Sequence, residues 1–193
     1  MKSEDLFKLY EKQYYHEIEV RDKLNARLQI PLAVLVATIG FLGFMLQNKS
    51  PDVSGFGVAL FWVAYGVSLV GVVFSVVFFR KSWFGHTDKL LPTAIETENY
   101  RQQLIDLYEP YESKDELVEE GLKKYLFNYY VEFSSQNTIN NDSRSYNLYK
   151  MTVSLTTSAI FAFIAFVPYH FNGLDKDNHS KPIKVEIVSI PKN

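Results

Sequence analysis

Long apolar runs alternate with charged stretches along this chain, and three of the runs are of helical length. The first, in "KLNARLQIPLAVLVATIGFLGFMLQNKS", carries no ionisable side chain from Ile30 to Leu46. As a helix it spans roughly 25 Å, short of a hydrocarbon core of about 30 Å. Leu28, Gln29 and Gln47 complete it at the edges, and Pro31 sits near its entry, where a missing N–H does least harm. It is a poor match to a secretion signal: 27 residues holding as many acids as bases lead into it, and no small-x-small cleavage site follows.

The second run, "FGVALFWVAYGVSLVGVVFSVVFF" (Phe56 to Phe79), has 24 residues without a charge and then meets Arg80 and Lys81. Fifteen of them are Leu, Phe or Val, each favouring insertion near a bilayer centre by roughly 0.3–0.6 kcal/mol. A single strand is never that long. The third run, "MTVSLTTSAIFAFIAFVPYHF" (Met151 to Phe171), has five hydroxyl residues in its first half, and Pro168 is expected to close it. Lys150 precedes it, and Tyr149, Tyr169 and Phe171 flank it as interfacial aromatics do.

These runs predict an all-α membrane protein with three transmembrane helices, cytoplasmic helical extensions and a short extracytoplasmic β-strand tail. The expected organisation is an N-terminal helix over 1–29, a helical hairpin over 30–79 (spans at about 30–47 and 56–79), a helical region over 80–150, a third span over 151–168, and a tail over 169–193. The tail's "KPIKVEIVSIPK" alternates Ile183, Val185 and Ile187 with charged residues, predicting a strand over about 183–190 that needs a partner edge.

Lys and Arg counts give the orientation. Six precede the first span and nine lie between Arg80 and Lys150, against one in the hairpin turn and four in the tail. The N-terminus and middle segment are therefore expected in the cytoplasm and the tail outside.

The polar segments read as helices too. In "SEDLFKLYEKQYYHEIEVRDKLNARLQIP", Leu6, Tyr10, Tyr14 and Ile18 share one side, and Glu4–Lys8, Glu17–Arg21 and Glu19–Lys23 are Glu-to-base pairs four apart. "PTAIETENYRQQLIDLY" starts with a proline suited to a first helical turn and spaces Ile95, Leu104 and Tyr108 helically. Ser113 to Glu116 matches a capping box; beyond it Leu117, Leu122, Tyr125, Tyr129 and Phe133 are expected to face inward.

"SSQNTINNDSRSYNLYK" has the composition of a loop, but Thr138, Asn141, Ser145, Tyr149, Thr152, Thr156, Ala159 and Phe163 recur at steps of three and four. They form a stripe of mostly small or polar residues on a helix entering the third span. From Ser145 onward this stripe is a candidate pore lining, with Phe163 as a hydrophobic constriction, or else a packing seam within the chain. Small residues also line up at Ala33, Ala37 and Gly40 in the first span and at Ala64, Ser68, Gly71 and Ser75 in the second. Lipid supplies no hydrophobic drive for helix pairing, so such faces serve close backbone approach, within the chain or between copies.

The remaining chemistry narrows the function. The chain has no cysteine, which removes disulfides and thiol chemistry. Its four histidines lack metal-binding spacing, "HEIEV" lacks the second histidine of a zinc protease, and "GFG" lacks a nucleotide loop's third glycine. Nothing argues for an enzyme, a metal or a cofactor, and "DKDNH" reads as a polar turn. No Asp, Glu, Lys, Arg or His interrupts the spans, which speaks against a coupled transporter. Eight bases face twelve acids from Lys81 to Lys150, so a cytoplasmic protein partner is expected and no nucleic acid.

"YYHEIEVRDKLNARLQIP" leading directly into a helical hairpin resembles the SLATT-like membrane effectors that occur beside phage-defence genes. The resemblance covers about the first eighty residues, and the third span and tail depart from that two-span pattern. It implies a bacterial inner-membrane protein that forms homo-oligomers and permeabilises or depolarises the membrane on a cytoplasmic cue. The rival expectation is a non-conducting anchor or sensor subunit that recruits a cytoplasmic enzyme.

Overall fold

The computed structural model describes residues 3–50 and 55–175. Five helices follow in order: α1 (Ser3–Arg27), α2 (Gln29–Gln47), α3 (Phe56–Trp83), α4 (Ala94–Leu107) and α5 (Lys114–Phe171). Outside them, an antiparallel bridge joins Lys49 to Asp175. Among the described residues, three helical stretches are long and apolar enough to cross a membrane: α1 with α2, α3, and α5. The strand expected at 183–190 lies outside the described residues.

Two compact units share α3 and α5. The first holds α1, α3 from Val76, α4, and α5 up to Met151. Its core is aromatic: Tyr14, Tyr130 and Phe133 are buried, with Phe7, Tyr10, Ile18 and Leu126 packed around them. Phe7 meets Tyr130 edge-on at 5.5 Å and Tyr10 meets Phe127 at 5.4 Å, geometries that suit the ring quadrupoles. α4 lies on α5 where Gly121 leaves room: a Cβ there would come within 3.1 Å of the buried Leu104 side chain.

Several local expectations change. α4 begins after Pro92, because Thr93 forms the capping box: its hydroxyl accepts from Glu96 N–H while Glu96 reaches back to Thr93 N–H. Ile95 is 75% exposed, so only Leu104 of the expected α4 face is buried. Glu17 does not pair with Arg21; it accepts from Asn141, and Arg21 turns to Asp22. The loop-like segment before the third apolar run belongs to one unbroken helix of 58 residues, in place of two helices. Nor does Pro168 end it, since α5 runs one turn further to Phe171 and Pro168 O still accepts from Asn172 N–H at 3.1 Å. Between α1 and α2, Leu28 N–H bonds Asn25 O at 3.3 Å. Pro31 has no N–H for the Arg27 carbonyl, and the helical pattern is interrupted at Leu28.

The second unit holds α2 from Leu32, α3 up to Ser75, and α5 from Thr152. Leu35, Thr38, Leu42 and Met45 form the inward face of α2. The α3–α5 contact is a seam of small side chains. Ser68 Oγ donates to Ser158 O at 2.9 Å and Ser158 Oγ donates to Ser68 O at 2.8 Å. Each hydroxyl thus finds a carbonyl on the facing helix, and the two hydroxyl oxygens lie 3.1 Å apart. The helices come this close because Gly71 has no side chain: a Cβ there would stand 2.8 Å from Ser158 Cβ and 3.1 Å from Ser154 O. On α2, by contrast, a Cβ at Gly40 would meet nothing within 4 Å.

Two outcomes follow from this packing. Gly71→Val should lower the thermal midpoint of the detergent-solubilised protein, by the roughly 1–3 kcal/mol typical of overpacking, while Gly40→Val leaves it unchanged. In the first unit, burial pushes the Tyr130 hydroxyl well above its usual pKa, and a hydrogen bond to Tyr129 with burial raises Tyr125 to about 12. An unfolded chain releases these protons near pH 10 and the folded one keeps them. Stability should therefore be unaffected below that pH and fall as pH rises above it, with delayed tyrosine ionisation in an alkaline absorbance titration.

Candidate functional site

After α3 the chain runs without helix from Phe84 to Thr93, and the backbone groups of such a segment need partners. α5 supplies them from one face. Asn137, Asn140, Asn141 and Arg144 stand at i, i+3, i+4 and i+7, and all four are buried. Asn137 acts twice on one residue: its Nδ2 donates to Lys89 O at 3.0 Å and its Oδ1 accepts from Lys89 N–H at 2.9 Å. Asn140 Nδ2 donates to Thr87 O at 2.9 Å. The Arg144 guanidinium grips Asp88 with two bonds of 2.8 and 2.9 Å.

The same face ties in two more elements. Asn141 Nδ2 donates to the Glu17 carbonyl and carboxylate at 2.8 and 2.9 Å, fixing α1. Ser82 Oγ, at the end of α3, donates to Arg144 O at 3.0 Å. Arg21 approaches Asp88 at 4.0 Å, and Tyr14 Oη accepts from Leu91 N–H at 3.2 Å. A polar clamp thus joins α1, the end of α3, the segment after it and α5. Its amides and ions are matched among themselves, which suits positioning rather than turnover. Among the described residues, no group of three His, Asp or Glu side chains stands close enough to hold a metal.

The small and polar positions expected to matter divide into two sets. Ala64, Ser68, Gly71 and Ser75 are buried in the second unit, Ser68 and Gly71 directly against Ser158. Ala33, Ala37 and Gly40 lie on the outward side of α2. On α5, Ser145, Tyr149, Thr152, Thr156 and Phe163 are exposed and Ala159 is half-buried. Beside them on the same helix, Met151, Leu155, Ser158, Ala162 and Ala165 are buried, roughly a quarter turn away. Ser145, Tyr149, Thr152 and Thr156 therefore lie off the α3–α5 seam, which Ser158 forms, while Ala159 and Phe163 face α2.

Ala37, Ala159 and Phe163 are brought together. With Val34, Thr38, Phe41, Ala162 and Phe166 they line an open apolar groove of about 360 Å³ between α2 and α5. Asn137, Asn140 and Arg144 were not singled out by the stripe, although their Asn-x-x-Asn-Asn-x-x-Arg spacing held the signal. Ser158 and Asp88 gave none, because their partners lie 90 and 56 residues away.

Removing Asp88 leaves Arg144 buried without its counter-charge. Asp88→Ala should cost about 3–5 kcal/mol, toward the low end because the Asp88 side chain is 20% exposed. Asp88→Leu with Arg144→Met should recover much of that loss in the same unfolding measurement.

No protein-family model, curated protein or solved structure matches this chain.

Proposed function

We propose that this chain is a multi-pass membrane effector that assembles with copies of itself and permeabilises the bilayer on a cytoplasmic cue. In this proposal α2, α3 and the C-terminal part of α5 cross the bacterial inner membrane. The N-terminus and residues 80–150 lie in the cytoplasm, where Lys and Arg concentrate, and the C-terminus lies outside. The SLATT-like character of the first eighty residues or so favours a role in phage defence.

The outward position of the α5 threonines carries the proposal. Thr152, Thr156 and Thr157 are exposed on a helix whose other outward residues include Val153, Ile160, Ile164 and Val167. Thr157 returns its hydroxyl to Val153 O at 3.0 Å. A row of threonines on an outward face otherwise made of Val, Ile and Phe is less apolar than a lipid-facing surface needs to be, which supports a protein or water neighbour there. Three spans enclose no water by themselves, so a conducting path needs several copies, with threonines along it and the Phe163 ring as a constriction that closes by drying. The clamp is placed to bring a cue to this helix, because Asn137 to Arg144 and the threonines belong to the same α5.

Cross-linking in membrane vesicles tests assembly. Thr156→Cys should link copies through a short bifunctional maleimide, and Val73→Cys, on an exposed face of α3, should not. In cells with a potential-sensitive dye, inducing the chain, alone or with infection, should depolarise the membrane, and Thr156→Leu should abolish this at unchanged membrane abundance. An undisturbed potential under both conditions, or equal cross-linking at both positions, contradicts the proposal. A stoichiometric soluble partner without multimers would identify an anchor instead.

A further inference from the structure

Each charge-free run abuts a cation in the first unit: Arg27 before α2, Arg80 and Lys81 at the end of α3, and Lys150 before the apolar part of α5. The packing brings these ends level. Lys150 Nζ lies 5.4 Å from the Phe78 ring of α3 and 4.3 Å from the Tyr146 ring one turn back on α5. Lys81 stands three residues beyond Phe78 on the same side of α3. α1 runs parallel to this part of α5, with Glu17 bonded to Asn141 across a separation of 124 residues. Arg27 lies ten residues further along α1 in that direction, as Lys150 lies nine further along α5.

Charge and aromaticity at this level point the same way. Arg21 and Arg144, a turn or two earlier, are matched by Asp22 and Asp88. Among the described residues, Arg27, Arg80, Lys81 and Lys150 form no ion pair with an acid. Trp83, Phe84, Tyr146 and Tyr149 stand exposed among them, amphipathic or apolar rings of the kind that settle at the headgroup layer. Unmatched cations, outward rings and an adjoining charge-free helix each occur on ordinary surfaces. Their coincidence at one level calls for a partner with anionic oxygens immediately above a hydrocarbon phase.

We propose that this level is a binding site for anionic phospholipid headgroups. Lys81 and Lys150, on either side of Phe78, hold the phosphodiester of one lipid, and the Tyr146 phenol adds a hydrogen-bond donor. Arg80, on the opposite side of α3, and Arg27 engage neighbouring headgroups. Acyl chains then lie along the outward apolar faces of α3 and α5. A soluble polyanion would satisfy the cations but leave Trp83 and Phe84 in water, so the lipid is the better fit. The site rests on the proposal that these helices cross a bilayer.

Trp83 makes the site measurable. In a Trp62→Phe background it is the only tryptophan, and quenching by lipids brominated on their acyl chains reports which lipid sits beside it. The full-length protein is reconstituted with brominated phosphatidylglycerol or brominated phosphatidylcholine, each diluted into unlabelled phosphatidylcholine. Phosphatidylglycerol should occupy the site in preference by about five-fold or more, since each Lys or Arg near an anionic surface contributes about that factor. Lys81→Gln with Lys150→Gln should bring the ratio close to one without changing quenching by phosphatidylcholine. Equal quenching by both lipids in the parent protein, or a preference that survives both substitutions, overturns the site while leaving membrane insertion standing. No quenching by either lipid overturns insertion and the site together.

Discussion

The structure turns on which solvent its outward apolar faces meet. Val63, Val70, Val73, Phe74, Phe163 and Val167 are each about half exposed or more, yet they belong to helices whose inward faces are already filled. Water would charge about 25 cal/mol for every Å² of such surface, and the five helices leave a great deal of it. Hydrocarbon removes that penalty and takes away the hydrophobic drive for helices to pair. The small-residue seam suits such a solvent. Ser68 and Ser158 exchange hydroxyl bonds, and Gly71 lets the backbones come close enough for them to do so.

The first unit uses different physics. It buries aromatic rings between α1 and α5 as a water-soluble helical domain does, and then adds an amide and guanidinium face that holds the segment after α3. Buried polar groups of this kind contribute less to stability than apolar packing of the same volume, while imposing a single arrangement. That suits a joint whose task is to keep α1, the end of α3 and α5 in register. Because α5 belongs to both units as one helix, a displacement of the clamp has a covalent route into the span. The proposed effector function needs such a route.

Legibility in the sequence tracked the range of the interactions. The apolar runs, the helical spacing of Ala64 to Ser75 and the helical nature of the asparagine-rich segment were readable, since each depends on residues a few positions apart. The Glu17–Arg21 pair failed because Asn141, 124 residues away, offers Glu17 a more enclosed partner. The start of α4 failed by two residues because Thr93 and Glu96 satisfy the first turn better than Pro92 does. The threonine stripe was found, but its orientation was not: only the packing of Ser158 shows which side of α5 the chain keeps for itself.

The absence of cysteine allows a direct test of the solvent on each face. A spin label at Val70→Cys and another at Thr156→Cys, in reconstituted vesicles, report collisions with dissolved oxygen, which concentrates in hydrocarbon, and with a water-soluble nickel chelate. The account predicts an oxygen-accessible, nickel-shielded label at 70, and a label at 156 with markedly lower oxygen accessibility. Nickel access at 70, or equal oxygen access at both positions, would contradict it.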